Sequence, residues 1–160
     1  MTDPGVPELS ILLVADSHEM IRKVLRCYVT QGDPRRLEIV VAAYGGAGIS
    51  EALLRAEGFA HARVVDPGGG DIACAEAYAV RAATAPSVVF AQAHAYPRPG
   101  FVDAILAATA AGRWTVIGPA LANANPGSAI SRAAMCINYG PWCGERDRGP
   151  AAAVPGHNSA

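Results

Sequence analysis

The chain has 160 residues, of which 51% are hydrophobic, so it is long enough for one domain with a sizeable core and too short for two. Thirteen Lys and Arg against fourteen Asp and Glu leave a formal net charge of -1, which excludes the broad positive surface that nucleic acids and anionic membranes require. The apolar runs fall far short of the roughly 20 residues that cross a bilayer. We therefore predict a single domain over residues 1–160 without a transmembrane span.

The first residues and the cysteines indicate a cytoplasmic protein. Residues 1–8 contain acid and proline where a secretory signal has a basic region followed by an apolar run. The cysteines lie far apart and include no Cys-x-x-Cys pair, which argues against structural zinc and a disulfide framework. Three of them stand among small or apolar residues, as buried thiols often do. The four are Cys27, Cys74, Cys136 and Cys143.

The first predicted element is a strand over residues 9–15, whose nearly continuous apolar run is typical of a central strand buried on both faces. Residues 19–30 follow as an amphipathic helix. Its apolar stripe comprises Met20, Val24, Cys27 and Tyr28. Asp33-Pro34 then ends the helical pattern.

The remaining predicted elements alternate between strand and helix. In chain order they are strand 37–43, helix 49–58, strand 61–66, helix 71–85, strand 87–91, helix 99–111, strand 114–120 and helix 128–138. Gly58 can end the second helix, and Asp71 can cap the third by accepting from its free amides. Residues 140–160 are predicted to form an irregular tail. This alternation predicts a three-layer α/β/α sandwich with a mostly parallel central sheet, Rossmann-like in organisation.

Three passages resemble the nucleotide-binding half of GT-A type glycosyltransferases, particularly family 2. Residues 10–16 look like the opening strand of that family, and residues 37–46 look like its second strand and the turn beyond it. Residues 82–101 are similar to the strand that ends in an Asp-x-Asp cluster before a Pro-x-Pro-Gly-Phe helix start. The resemblance covers residues 9–158 and implies a GT-A fold.

Further passages resemble a family-2 subgroup in which a Pro-Gly-His-Asn element follows the fifth strand. They are residues 117–120, 123–126 and 155–158. In relatives this element lies near the acceptor end of the site, which implies an acceptor side at Gly156, His157 and Asn158. Relatives also continue into a segment that binds the acceptor and usually supplies the catalytic base, and this sequence has no such segment. The catalytic residues therefore stay unassigned.

The function implied by the resemblance is transfer of a sugar, a hexosyltransferase-like activity, from a nucleotide-sugar donor to an unknown acceptor. The donor site would comprise Ala15, Asp16, Tyr44, Gln92 and His94. Tyr44 can stack on a nucleotide base or pack on the strand edge. Asp16 can accept a hydrogen bond from the nucleoside or cap the next helix.

The position of the Asp-x-Asp cluster holds Gln92-Ala93-His94 in this chain. Relatives bind manganese or magnesium there, but an amide and an imidazole are poor ligands for these hard cations. His94 and His157 can instead bind a softer divalent ion or, when protonated, the phosphates. The alternative is that His94 only hydrogen-bonds a loop and that His157 is exposed in the tail.

Other candidate phosphate ligands are equally open to a structural reading. Residues 68–71 can offer backbone amides to an anion at a helix start, or form a flexible turn, since no Walker or dinucleotide-binding motif accompanies them. The candidate cations are Arg81, Arg98 and Arg113, any of which can instead lie on a solvated surface.

The altered site leaves a second hypothesis, a noncatalytic binding or interaction domain, or an inactive fragment, that keeps the scaffold without the metal-binding carboxylates. Nucleotide binding or donor hydrolysis separates the two hypotheses. The absence of an acceptor segment can also leave an apolar edge exposed, which favours a homo-oligomer.

Overall fold

A nearly continuous apolar run makes residues 9–15 an interior strand of a parallel sheet, as the sequence predicts. The computed structural model describes residues 5–45, 48–144, 149–156 and 159–160. The strands are β1 (Leu9–Ala15), β2 (Leu37–Ala43), β3 (His61–Val65) and β4 (Ser87–Phe90). The helices are α1 (His18–Val29), α2 (Glu51–Ala56), α3 (Ile72–Ala82), α4 (Phe101–Ala110) and α5 (Ala129–Tyr139), with 3-10 turns at Pro34–Arg36 and Gly140–Trp142.

The four strands are parallel and lie in the order β3-β2-β1-β4. Alternate residues of each strand point to opposite faces, so the sheet has a core on each side. One core packs against α1, α2 and α4, and the other packs against α3. This arrangement confirms the predicted α/β/α sandwich with a parallel central sheet.

The helix α2 begins two residues later than predicted, and Gly58 follows its end as the sequence predicts. Ser50 caps α2 by accepting from the amide of Leu53 at 3.2 Å. Gly58 follows α2 with a φ of +115°, and a Cβ at this position would lie 2.7 Å from Cγ2 of Val29. Only glycine combines this backbone conformation with such a close approach to α1.

The predicted fifth strand, Trp114–Ala120, is wrong. Trp114 and Val116 are 41% and 55% exposed, and the segment has no regular strand structure. The amide of Phe90 on the outer edge of β4 donates to the carbonyl of Ser159, while Ile117 exchanges a pair of backbone hydrogen bonds with Ala160. A strand is stabilised by the strand beside it. At Phe90 the residue hydrogen-bonded to the outer edge of β4 is Ser159, and not a residue of 114–120.

The buried face of α1 also differs from the predicted stripe. Met20 is 41% exposed, while Ile21 and Leu25 are fully buried beside the predicted Val24 and Tyr28. The buried stripe of α1 is therefore rotated by about one residue from the predicted stripe. Neighbouring rows of side chains lie close together on a helix, so the apolar pattern does not distinguish the two. None of the four cysteines is fully buried, because Cys136 is exposed and the others are half-buried.

The helix α5 lies at its predicted position and begins after Ser128, whose hydroxyl accepts from the amide of Ser131. No residue of α5 is buried, and Ile130 and Ile137 are 83% and 81% exposed. Among the helices in the described part of the chain, none is long and apolar enough to cross a membrane.

A buried carboxylate joins the strands at their amino-terminal edge. Glu38 of β2 is 1% exposed and accepts hydrogen bonds from the hydroxyl of Ser10 on β1 at 2.5 Å and from the guanidinium of Arg63 on β3 at 2.9 Å. It also accepts from the amide and hydroxyl of Thr84 at 2.7 and 2.9 Å, just before β4. Ala85 completes the network by donating its amide to the Ser10 hydroxyl. Each strand, or the residues that lead into it, thus contributes to one polar network.

Opposing effects act on the pKa of Glu38. Burial alone would raise the pKa, because it disfavours the charged carboxylate. The hydrogen bonds from Ser10, Thr84 and Arg63 together outweigh burial and hold the pKa below its ordinary value of 4.5. The carboxylate is therefore charged in the folded protein at neutral pH and contributes stability there.

Replacing Glu38→Gln should lower the free energy of unfolding by about 1–3 kcal/mol at pH 7, because the amide cannot accept all these hydrogen bonds. Since the folded pKa is depressed, the contribution of Glu38 is present above about pH 4.5 and is lost as the pH falls through the folded value. Urea unfolding should therefore show a difference in the free energy of unfolding between wild type and variant that is smaller in acid than at pH 7. The control, Glu51→Gln, breaks an exposed pair with Arg55 and should change stability by less than about 0.5 kcal/mol. An equal difference in the free energy of unfolding at pH 7 and in acid would contradict this role for the charge.

Replacing Tyr28→Phe should raise the free energy of unfolding by about 1 kcal/mol. Tyr28 is fully buried, its hydroxyl has no hydrogen-bond partner among the described residues, and burial raises its pKa far above the ordinary value. Its ring packs edge-on against Phe101, a contact that phenylalanine retains. Thermal unfolding would measure the change, and Tyr78→Phe, at a residue that is 42% exposed, is the control. A loss of stability in Tyr28→Phe would instead mean that the hydroxyl is satisfied.

Candidate functional site at the carboxyl edge of the sheet

Because the four strands are parallel, their carboxyl ends meet at one edge of the sheet, which we call the carboxyl edge. The residues at the strand ends there are Asp16 after β1, Tyr44 after β2, Asp66 after β3 and Gln92 after β4. Asp16 and Asp66 are exposed, and Tyr44 and Gln92 are half-buried. The edge therefore presents polar side chains to solvent above an apolar sheet.

The order of the strands reverses between β1 and β4. The chain moves from β1 to β2 and β3 in one direction and then returns to place β4 on the other side of β1. In open α/β sheets, ligands bind outside the carboxyl ends of the strands at the point where the strand order reverses. The carboxyl ends of β1 and β4 are therefore the favoured place for a ligand.

The structure places four of the predicted donor-site residues at these two strand ends. Ala15 is buried, its carbonyl accepts from the amide of Tyr44 at 3.3 Å, and Asp16 follows it into solvent. The β1–β4 ladder extends past β4 through a hydrogen bond from the amide of Ala91 to the carbonyl of Leu12. Gln92 then begins a turn that carries the exposed His94.

Tyr44 takes part in the structure of the carboxyl edge. Its hydroxyl donates to the carbonyl of Asp71 at 3.1 Å, in the loop that leads into α3. Its ring packs against the core cluster between the sheet and α3. The packing interpretation of Tyr44 therefore has direct contacts in its support, and the residue as a whole is half-buried.

The glycine-rich turn before α3 is held by carboxylates. Asp66 accepts from the amide of Gly68 at 2.8 Å, and Asp71 caps α3 by accepting from the amide of Cys74 at 2.9 Å. Residues 68–70 all have positive φ, which glycine adopts at low cost. Since the Asp71 carboxylate already occupies the start of α3, this end of the helix is poorly suited to a second anion.

Asp66 is a candidate site residue that the sequence reasoning did not select. Its Oδ2 lies 3.6 Å from the position that a Cβ of Gly45 would occupy, so the ends of β2 and β3 approach each other closely. The available signal was an acidic residue directly after a predicted strand, the same feature that marked Asp16. We therefore add Asp66 to the polar residues of the carboxyl edge.

The predicted acceptor side falls partly outside the described residues, since His157 and Asn158 are not among them. Gly156 is exposed and follows the buried Pro155, whose carbonyl accepts from the hydroxyl of Ser159 at 2.6 Å. Ser159 in turn contacts the end of β4 through the amide of Phe90. Gly156 thus lies in a segment that is hydrogen-bonded to the outer edge of β4.

The donor atoms at the carboxyl edge do not match a magnesium or manganese site. The described residues contain no group of three or more His, Cys, Asp or Glu side chains that could hold a metal ion. Gln92 and His94 provide one amide and one imidazole, whereas hard cations prefer several oxygen ligands. Charge on a bound phosphate would be balanced by side chains of the protein or by a softer cation than magnesium or manganese.

The candidate cations differ in their surroundings. The guanidinium of Arg81 lies 6.0 Å from the ring of Tyr78 on α3, and that of Arg113 lies 5.5 Å from the ring of Trp114. Arg98 is exposed and belongs to the same loop as His94. The carbonyl of the neighbouring Pro97 accepts from Gln31, just after α1, so Arg98 lies toward the amino-terminal edge of the sheet and not at the carboxyl edge.

Replacing Tyr44→Phe tests the structural part of this site. Loss of the bond to Asp71 should lower the free energy of unfolding by about 0.5–1.5 kcal/mol and speed amide exchange in residues 68–74. Urea unfolding and hydrogen exchange measure the two effects. Tyr96→Phe, which keeps a ring beneath Lys23, is the matched control. Unchanged stability and exchange in Tyr44→Phe would mean that the hydroxyl does not hold the loop.

Comparison with known proteins bears on the fold of the chain. No family model matches the chain, and no curated protein matches it. Among solved structures, residues 1–349 of TarS from S. aureus, a glycosyltransferase with a GT-A-like fold, match at 15% sequence identity and a TM-score of 0.60. The match covers 74% of this chain and 36% of the TarS chain. The protein therefore has a glycosyltransferase-like α/β fold.

Proposed function

We propose that this chain binds a nucleotide sugar at the carboxyl edge of its sheet and acts as the donor-binding part of a glycosyltransferase with an unknown acceptor. The observation that carries the proposal is the reversal of strand order between β1 and β4, with Asp16, Gln92 and His94 at the two strand ends. The glycosyltransferase-like fold that this chain shares with TarS also supports the proposal.

In this proposal the nucleoside lies over the ends of β1 and β2. The exposed carboxylate of Asp16 accepts a hydrogen bond from the nucleoside, and the half-buried Tyr44 contacts the base. Ala15 has a small buried side chain, which lets the ligand approach the backbone at the end of β1. Asp66 offers a second acceptor beyond β2.

The diphosphate lies toward the end of β4, where Gln92 and His94 are found. An amide can donate to a phosphate oxygen, and a protonated imidazole can balance its charge. A softer divalent ion on His94 and His157 is a second way to supply that charge. Balance of charge on the leaving diphosphate is what sugar transfer requires at this position.

In the transfer step the acceptor hydroxyl attacks the anomeric carbon of the sugar as the bond from that carbon to the phosphate oxygen breaks. The nucleoside diphosphate takes the electron pair of the broken bond, and a base takes the acceptor proton. The acceptor would approach from the side of Gly156, His157 and Asn158. The base is unassigned in this chain.

Several predictions from the sequence stay predictions. They are the single-domain organisation with an irregular tail at residues 140–160, the cytoplasmic location and the formation of a homo-oligomer. Size-exclusion chromatography of the purified chain tests the last, because a single monomer peak at working concentration would contradict it.

Calorimetric titration with nucleoside diphosphates and their sugar conjugates tests the proposed function, with manganese, zinc or chelator present. One nucleotide should bind to the wild type, and Asp16→Asn or His94→Ala should weaken its affinity about tenfold by removing a charged hydrogen bond. Asp103→Asn is the matched control, since Asp103 pairs with Arg36 before β2, at the opposite edge of the sheet. Failure of the wild type to bind any member of the panel would refute donor binding and leave the noncatalytic domain as the explanation.

A further inference from the structure

The loop that joins β4 to α4, residues 92–100, contacts α1 and the residue Gln31 after it has left the carboxyl edge. We call it the β4–α4 loop. It carries Gln92 and His94, the side chains that we assign to the diphosphate, and it has no helix or strand of its own. Such a loop orders its side chains only where other elements hold it. Contacts with α1 and the residues after it supply that support.

The first contact is made by Lys23, which is the only lysine in the sequence. Its ammonium lies 4.0 Å from the centre of the Tyr96 ring, within the range of a cation–π interaction. Tyr96 is two residues beyond His94, and on the other side of His94 the backbone is continuous with β4. His94 therefore lies in a short span with a support at each end.

The second contact is made by the amide side chain of Gln31, just after α1. Its Nε2 donates to the carbonyl of Cys27 at 3.1 Å and to the carbonyl of Pro97 at 3.3 Å. Its Oε1 accepts from the amide of Val102 at 3.3 Å, in the first turn of α4. One half-buried side chain thus joins the end of α1, the β4–α4 loop and the start of α4.

These two contacts leave only a short free segment. The amide of Ala95 donates to the carbonyl of Gln92 at 3.2 Å, so residues 92–95 form a single turn between β4 and Tyr96. With both ends of that turn held, Gln92 and His94 are restricted in the directions that they can take. Removal of Lys23 or Gln31 would release one end of the turn without changing either site residue.

We propose that Lys23 and Gln31 are positioning residues for the donor site: through Tyr96 and Pro97 they hold the β4–α4 loop so that Gln92 and His94 face the bound diphosphate. The inference rests on the proposed function, since it assigns these residues a part in nucleotide binding. Neither residue contacts the ligand, so their effect passes through the order of the loop. This separates them from Asp16 and His94, whose removal takes away a ligand contact.

The experiment compares Lys23→Met, Lys23→Arg, Gln31→Met and the double variant Lys23→Met with Gln31→Met. Hydrogen exchange at the amides of Ala95, Phe101 and Val102 reports loop order without any ligand, and calorimetry with the nucleoside diphosphate that binds the wild type reports affinity. Arg22→Met is the matched control, because it removes a neighbouring positive charge that pairs with Glu19 rather than with the loop. Thermal unfolding confirms that each variant is folded.

We expect these amides to exchange about tenfold faster in the double variant than in the wild type, because weak contacts are lost at two points. The affinity of the double variant for the nucleoside diphosphate should fall about tenfold for the same reason. Lys23→Arg should restore wild-type values, since guanidinium also binds aromatic faces. Unchanged exchange, or faster exchange with unchanged affinity, would overturn the positioning role while wild-type binding still supports the proposed function. If the wild type binds no nucleotide, the proposed function fails and the positioning role fails with it, whatever the exchange rates show.

Discussion

The buried carboxylate of Glu38 is the interaction on which the alignment of the sheet depends. A charge that is 1% exposed is tolerated only when donors surround it, and here they come from β1, β3 and the residues before β4. A strand that shifted its register would leave that charge without a partner. Alignment at the amino edge also sets where the strands end, so Asp16 and Gln92 arrive at the same carboxyl edge. One acidic side chain thus organises the sheet from the edge opposite the candidate site.

Much of the fold could be predicted from the sequence because its signals are local. Strands buried on both faces are continuous apolar runs, and Asp71 and Gly58 mark helix ends through their own chemistry. The fifth strand could not be predicted correctly, because whether residues 114–120 become a strand depends on what lies beside β4. Glu38 was equally inaccessible, since its partners are 25 to 46 residues away and no local pattern announces a buried charge.

The candidate site was predictable only in part, and by a different route. Parallel strands bring their carboxyl ends together, so residues after predicted strands could be expected to share an edge, and Asp16, Tyr44 and Gln92 do so. The supports of the site could not be read in the same way. Lys23 belongs to a helix and Gln31 follows it, and each meets the β4–α4 loop only because α1 and that loop lie on the same side of the sheet. Contacts of that kind depend on tertiary packing and leave no periodic trace in the sequence.

The Glu38 network also has a consequence for the order of folding. Ser10 and Arg63 reach Glu38 across 28 and 25 residues, whereas Thr84 is 46 residues away and Ala85 is 75 residues from Ser10. Closing a longer loop costs more entropy, and Thr84 is also synthesised last. We expect β1, β2 and β3 to assemble around a carboxylate that still lacks some of its donors. Docking of α3 and β4 then completes the hydrogen bonds, and the same step brings the carboxyl end of β4 beside that of β1.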